Sequence, residues 1–346
     1  VEGGALRRAI LVGQSAGANA LGPAGPTPEG ASLPGQNGSG LEFLVIDAPP
    51  LPGAEEDFRP LIAVRAPVWP GKVAVYAGAE VSGLRLRTEV VAPAITGVTL
   101  TSLAAGCSGR WDYGASLDVR MDRLGLASAS DLSVLNGANA LLLRHASGDW
   151  ELLQAGEIEL VAANVYRFAR LLRGQAGSED LSAQIAPPGA EVVFVDRALA
   201  RAQLADFERG LPLLWRAGPI ELSPSDPRFR EVSVSVAGRA LRPLAPAHLR
   251  AKRMVDGGLE ISFIRRGRVN ADNFDAPDIP IGSDETGFAV KVFDGANLVR
   301  SDVAAGSPII YAASALGGAA TAVLRVSVAA ISARWGEGPA ASVEVA

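Results

Sequence analysis

Short runs of alternating apolar and polar residues, separated by glycine and proline, are the feature that most constrains this chain. Residues 83–91, GLRLRTEVV, and residues 116–121, SLDVRM, alternate strictly. Successive side chains of a β-strand point to opposite faces, so the pattern is typical of strands with one buried and one solvated face. The 346 residues also include 39 glycines and 23 prolines without a collagen-like period, which predicts many turns.

Strand-like runs occur along most of the sequence. In the first part of the chain we predict strands at residues 5–13, 41–47, 60–66, 72–77, 83–91, 116–121, 150–154, 157–161, 165–172, 191–195, 215–216 and 231–236. In the last part we predict strands at residues 248–253, 259–265, 287–293, 297–301, 308–313, 322–331 and 341–345, with turns at 294–295 and 335–339. About seven strands within about 100 residues are what a β-sandwich needs.

Two segments predict short helical structure. Ser130 and Asp131 precede an apolar run, and either side chain can cap a helix that Asn136-Gly137 would end. Residues 197–210, RALARAQLADFERG, carry apolar residues at helical spacing and end at a glycine, which favours a helix or a helical turn. The predicted fold class is therefore mainly β, with β-sandwich or β-barrel-like regions and few short helices.

Changes in composition predict three regions. Residues 1–40 contain one strand and a connection rich in glycine and proline, and residues 41–240 form one or more β-rich domains. Residues 238–246, GRALRPLAP, have two prolines, basic residues and no periodicity, and we predict a linker there. A sandwich domain is expected at residues 241–346. Because the sequence begins with valine and shows no signal peptide, we expect it to be part of a longer polypeptide.

Composition disfavours several classes of function. The net charge of -5 gives no electrostatic basis for binding nucleic acid, and the arginines at 265–268 are interpreted as a solvated strand end. The single cysteine, Cys107, excludes an internal disulfide framework or a cysteine zinc site and is expected to be a small buried apolar residue. No run of 18 apolar residues predicts a transmembrane helix.

A serine pentapeptide near the start of the chain resembles a hydrolase motif. Gly13-Gln14-Ser15-Ala16-Gly17 matches the G-x-S-x-G nucleophile elbow, and the chain order permits a triad with His248. The elbow must lead into a helix, but residues 18–30, ANALGPAGPTPEG, cannot form one, and the β–α alternation of that fold is absent. We interpret Ser15 as a loop serine and keep an enzyme using it as an alternative.

Metal binding is also disfavoured by the sequence. The only histidines, His145 and His248, form no cluster and are expected to have ordinary surface roles. The acidic loop at 270–278, followed by Asp284-Glu285, lacks the spacing of a calcium loop and is interpreted as solvated. We predict no catalytic, cofactor-binding or metal-binding residues and no cofactor.

Two segments resemble parts of a fibronectin type III domain. Residues 324–345, LRVSVAAISARWGEGPAASVEV, resemble its last two strands, and residues 245–266 resemble its proline-bearing entry and second strand. The position of the conserved corner tyrosine of that domain is not evident here. The resemblance therefore implies a fibronectin type III-like sandwich at the end of the chain.

An ordered series of segments resembles the C-terminal half of tail-tip hub proteins of siphophage-like particles, in particular the large "megatron" baseplate proteins of gene transfer agents. The series comprises residues 149–154, 166–168, 171–179, 241–249, 264–268 and 278–282. It belongs to a resemblance over about residues 40–346, which is most specific over 145–300. Those proteins also carry an upstream hydrolase-like barrel, to which nothing in this sequence corresponds.

This resemblance implies a non-enzymatic structural protein at the tail tip or baseplate of a phage-like virion. Implied partners are other tail and baseplate proteins, two further copies in a homotrimer, and a glycan or receptor of the host envelope. Within this interpretation, Trp150 and Arg173 of residues 148–180 are expected to serve architecture rather than to bind a substrate. The alternative is an array of carbohydrate-binding modules of an envelope-acting hydrolase, in which Trp111, Tyr113 or Trp150 would stack on a sugar ring.

Overall fold

The computed structural model describes residues 40–268, 271, 279, 282–317 and 323–346. The predictions for Ser15, the strand at 5–13 and nearly all of the loop at 270–278 lie outside the described residues. Within them the chain has twenty strands, two short α-helices and four short 3-10 helices. The prediction of a mainly β fold is confirmed.

An outer sandwich is built from strands on both sides of an inserted barrel. A three-stranded sheet, ordered β1-β2-β11, packs against a four-stranded sheet, ordered β13-β12-β3-β4. The strands are β1 Glu42–Ile46, β2 Leu61–Arg65, β3 Val73–Gly78, β4 Arg85–Val90, β11 Ala200–Arg201, β12 Pro212–Pro219 and β13 Arg230–Ser235. Trp215, which is fully buried, packs in the core between the two sheets.

The inserted barrel closes through six antiparallel strands in the order β10-β5-β6-β9-β8-β7. They are β5 Thr96–Thr99, β6 Asp112–Met121, β7 Ala140–Arg144, β8 Trp150–Ala162, β9 Val165–Gln175 and β10 Glu191–Phe194, with helices α1 Asp131–Leu135 and α2 Glu179–Ser182 between strands. Phe168 and Leu143 are buried in its core. Closure leaves the barrel with no free sheet edge along its paired strands.

The three-stranded sheet of the outer sandwich is covered on both faces. One face contributes Phe43 and Ile62 to the sandwich core, and the other contributes Ile46 and Leu61 to a cluster with Trp150 of the barrel. Residues 61–64 are accordingly all buried. This explains why β2 reads as a continuous apolar run rather than an alternating one.

The C-terminal sandwich contains seven strands in two sheets, ordered β14-β15-β18 and β17-β16-β19-β20. They are β14 Ala247–Arg253, β15 Leu259–Ile264, β16 Glu285–Asp294, β17 Asn297–Ala304, β18 Ile309–Tyr311, β19 Leu324–Ser332 and β20 Gly336–Val345. The first, second and fifth strands form one sheet, which is a fibronectin type III-like arrangement. Phe263 and Phe288 join the sheets, with ring centroids 4.7 Å apart.

Several local predictions differ from the structure. The Ser130 hydroxyl does cap α1 by accepting from the Ser133 N–H, as expected. The predicted helix at 197–210 is wrong, apart from one 3-10 turn at Asp206–Glu208, because β11 pairs with β2. The predicted strands 150–154 and 157–161 form the single strand β8, and most of the predicted turn at 335–339 belongs to β20. Strand β7 was not predicted, and β11 lies in the segment predicted to be helical.

Candidate functional site

A buried ion network lies inside the barrel wall where β8 and β9 pair. The Arg173 guanidinium of β9 donates from Nε to Glu151 Oε1 at 2.6 Å and from Nη2 to Glu151 Oε2 at 2.8 Å. The Gly174 N–H donates to Oε1 at 3.0 Å, and His145 Nε2 lies 2.9 Å from Oε2. Arg173 Nη1 also donates to the Ala104 carbonyl, which ties the network to the loop after β5.

The network keeps Glu151 ionised despite its burial. Burial disfavours the charged carboxylate, but hydrogen bonds from Arg173, His145 and the Gly174 N–H outweigh it, so the pKa of Glu151 is lowered. Arg173 and Glu151 are both fully buried, so each charge depends on the other for compensation. No nucleophilic side chain is hydrogen-bonded to this network in the described chain, and the arrangement is suited to holding strands together.

Two sequence-based expectations for single residues are corrected by this region. His145 does not have a surface role: its main chain forms a turn with Asp149, and its ring points inward to Glu151 and is buried. Cys107 is only half-buried, and its sulfur accepts from Arg110 Nε. Trp150 and Arg173 are both interior, which agrees with an architectural rather than a substrate-binding position.

The segment predicted as a linker is instead a packed junction. Both carboxylate oxygens of Asp47, at the end of β1, accept from the main-chain N–H groups of Ala237, Gly238 and Arg239 at 2.7–3.0 Å. Burial raises the pKa of Asp47, and the three main-chain donors offset part of this effect. Residues 239–241 form a buried 3-10 turn, so residues 238–246 are not a solvated connection.

The barrel is joined to this junction by the residues that follow β9. Asp180 accepts from Arg239 at 3.2 Å and from Arg242 at 3.0 Å, and Arg239 also pairs with Asp149 at 3.0 Å. Leu244 fills the space beside Gly177, where an added Cβ would lie 2.6 Å from its Cδ2. Residues 177–180 therefore contact a segment about 60 residues later in sequence.

The C-terminal sandwich is tied to the same junction. Arg266 pairs with Glu179 at 2.7 Å, and Arg268 pairs with buried Asp284 at 2.7 Å. Asp284 also accepts from the Ser332 hydroxyl at 2.6 Å. The interpretation of residues 265–268 as a solvated strand end is therefore wrong for Arg268, whose side chain is buried. Hydrogen bonds and ion pairs therefore connect all three parts of the fold through one small region.

Replacing Asp180 with alanine is expected to loosen the junction. Two arginines would lose a charged acceptor, which should reduce the free energy of unfolding by about 1–3 kcal/mol. Trypsin cleavage after Arg239 should become faster, because its guanidinium would keep only Asp149. The measurement is limited proteolysis combined with urea denaturation. Asp226→Ala is the control, since Asp226 bonds to Arg228 in an exposed turn. Equal cleavage rates for the two variants would contradict the assignment of Asp180 to the junction.

A groove lies between the barrel and the outer sandwich. Two adjoining cavities of about 370 and 510 Å³ share Phe43, Leu44, Arg144 and Val232 among their lining residues. One wall is β13 and the other is the barrel surface at β7 and the turn before β8. Strand β1, an edge strand of its sheet, lines both cavities.

The aromatic residues considered for sugar stacking are poorly placed for it. Trp150 is 3% exposed, and the Arg170 guanidinium lies 5.4 Å from the centroid of the Trp111 ring. Tyr113 is exposed. Within the described residues there is no group of three or more histidine, cysteine or acidic side chains suited to a metal ion. No described helix has the length and apolar character needed to cross a membrane.

Comparison with known proteins gives one family match. Residues 94–193 match the family model described as "Rcc01698-like, C-terminal", a family associated with the gene transfer agent of Rhodobacter capsulatus. The matched range is under a third of the chain and coincides with the inserted barrel, from β5 to β10. The barrel is thus similar to gene transfer agent proteins.

Solved structures give weaker similarities. The FN1–FN3 domains of chicken CNTN1 align with 7% identity over 89% of this chain and 97% of that chain, with a TM-score of 0.24. The central fibronectin-III array of RIM-binding protein aligns with 11% identity over 83% and 91%, with a TM-score of 0.21. No curated protein matches the chain.

Proposed function

We propose that this chain is a non-enzymatic structural component of a phage-like tail tip or baseplate, namely the C-terminal region of a tail-tip hub. The observation that carries the proposal is the family match at residues 94–193, which spans the inserted barrel from its first strand to its last. The ordered segments that resemble hub proteins extend beyond the barrel on the C-terminal side. Two of these segments contain residues of the junction: residues 171–179 include Glu179, and residues 264–268 include Arg266 and Arg268.

The junction supports a mechanical role. Buried or half-buried ion pairs connect the barrel to residues 239–242 and to the C-terminal sandwich. A β-rich body of this kind holds its loops in fixed positions, as a protein that transmits contact from an envelope to a particle requires. The C-terminal sandwich would then be presented at a defined angle to its partners, which we propose to be other tail and baseplate proteins and a glycan or receptor of the host envelope.

The side chains available for catalysis also favour a structural role. His145 is held by Glu151 in the barrel wall, and His248 is exposed on β14. Catalysis by a serine or cysteine nucleophile needs that side chain hydrogen-bonded to a base such as histidine. In the described part of the chain His145 is hydrogen-bonded to Glu151 instead, and no serine or cysteine is hydrogen-bonded to either histidine ring.

The proposal is tested by electron microscopy of particles purified from the producing cells. An affinity tag after Ala346, labelled with gold, is expected at the tail tip, and a reconstruction is expected to show three copies around the tail axis. Untagged particles treated with the same gold reagent are the control. Absence of the chain from purified particles, or labelling of the head or tail shaft, would contradict the proposal.

A further inference from the structure

The main-chain hydrogen bonds of β2 show which groups of β1 face the groove. Ala202 N–H donates to the Pro60 carbonyl, and Ala94 N–H donates to the Val64 carbonyl, so both carbonyls point away from β1. Alternate residues of a strand direct their main-chain groups to opposite sides. Residues 61, 63 and 65 therefore face β1, and their register partners are Ile46, Leu44 and Glu42.

Phe43 and Val45 consequently direct their N–H and C=O groups away from β2. In the part of the chain that the structure describes, no hydrogen bond to these groups is observed. The two residues are only 6% and 9% exposed. Buried main-chain polar groups are almost always paired, because leaving them unpaired costs free energy comparable to a lost hydrogen bond. This edge of β1 is therefore suited to a partner with its own donors and acceptors.

The edge is fixed at both ends and open between them. Before β1, the Leu41 carbonyl accepts from Arg230 Nε at 3.1 Å. After β1, Asp47 is bonded to the main chain at 237–239. Between these contacts the adjoining cavities provide about 370 and 510 Å³, a volume in the range that protein clefts use for ligands.

The charges at the groove favour a neutral main chain over a polyanion. Arg65 is paired with Glu42, and Arg144 with Glu191 at 2.7 Å. Glu231 on the opposite wall is paired with Arg216. Arg230, which also lines the groove, donates from Nε to the Leu41 carbonyl. A nucleic acid or an acidic glycan would have to displace the existing ion pairs of Arg65 and Arg144 in order to bind them. Phe43 and Trp150 are buried and offer no ring face to a neutral sugar.

We propose that an extended peptide segment of a partner protein binds in this groove by strand addition to β1. Its main chain would pair with Phe43 and Val45 and extend the three-stranded sheet of the outer sandwich. Alternate side chains would face β13, where Ser233 and Ser235 are exposed and line the groove, and the paired charges of the barrel wall. Main-chain pairing supplies affinity in such complexes, and the alternate side chains supply specificity. The inference stands on the main-chain geometry and does not require the tail-tip assignment.

Selection from a random library of dodecapeptides on the immobilised full chain tests the proposal. Enriched peptides should alternate apolar and polar residues. A scan that methylates one backbone nitrogen at a time should show a period of two, with about tenfold weaker binding wherever the nitrogen faces β1. Hydrogen exchange at the Phe43 and Val45 amides should slow when such a peptide is bound.

Two matched variants localise the binding. Ser233→Trp places a large side chain on the exposed face of β13 in the groove, and Ser342→Trp makes the same change on exposed β20, in the C-terminal sandwich. Only Ser233→Trp should abolish peptide binding. The proposal is overturned if no peptide is enriched, if binding survives Ser233→Trp, or if methylation at adjacent positions has equal effects. It is also overturned if the chain dimerises and Ser233→Trp alone prevents this, because the occupant would then be a second copy.

Discussion

Replacing Glu151 with alanine is expected to lower the free energy of unfolding by about 3–5 kcal/mol, because it leaves the buried Arg173 charge without its partner. Three nitrogens of Arg173 and Gly174 would lose their acceptor, and His145 would lose its hydrogen-bond partner. Urea denaturation of the full chain, followed by tryptophan fluorescence, measures the effect.

Two further variants separate the charge effect from a general loss of packing. The double variant Glu151→Leu with Arg173→Met removes both charges and should be more stable than Glu151→Ala alone. Asp118→Ala removes the partner of Arg167 in an exposed pair and should have a much smaller effect. A Glu151→Ala variant no less stable than Asp118→Ala would contradict the role assigned to this network.

The same network determines the direction in which pH changes the stability of the fold. Because the folded-state pKa of Glu151 lies below its ordinary value, the stability it contributes is present above the unfolded pKa of about 4.3 and is lost as pH falls further. Acidifying the wild-type chain below the unfolded pKa of about 4.3 should therefore remove the stability that Glu151 contributes. Glu151→Ala, which lacks the group, should lose correspondingly less stability over the same pH interval.

The alternation of apolar and polar residues predicted many of the strands, because it shows which face of a strand is buried. It carries no information on which strands pair with each other. Strict alternation located β4 and the later half of β6, where one face is solvated. The same signal could not show that β5 to β10 close on themselves while β4 and β11 belong to the two sheets of the outer sandwich. That pairing depends on which strands meet in space. Residues 197–210 had helical spacing, but Ala202 and Leu204 are buried in the outer sandwich instead.

The junction was missed for a different physical reason. From sequence alone, an arginine is expected to be solvated unless an acidic partner can be identified. The acidic partners of these arginines lie far away along the chain. Asp180 lies 59 residues before Arg239, and Glu179 lies 87 residues before Arg266. The available signal was the glycine-rich ending of β9, since Gly174 and Gly177 both stand where a side chain would meet the junction. The open edge of β1 left no local signal, because Phe43 and Val45 read as ordinary core residues.

Replacing Gly174 with alanine is expected to reduce the free energy of unfolding by about 2–5 kcal/mol. Gly174 has φ +60°, which costs an L-residue about 1–2 kcal/mol, and crowding in a packed region adds about 1–3 kcal/mol. Its Cβ would lie 2.7 Å from Ser182 Oγ and 2.9 Å from Glu179 Cα. The second contact involves main chain, which cannot rotate away, and it displaces the carboxylate that binds Arg266.

Gly295→Ala is the matched control for this variant. Gly295 has φ +57° in the turn between β16 and β17, and nothing lies within 4 Å of the position its Cβ would take. It should therefore show the backbone strain alone, about 1–2 kcal/mol. Both variants are measured by urea denaturation, with trypsin cleavage after Arg239 as a second readout. If the close approach of β9 to α2 holds the junction in place, only Gly174→Ala should accelerate that cleavage. Equal destabilisation by the two variants would mean that Gly174 is required for its φ angle and not for the contact it permits.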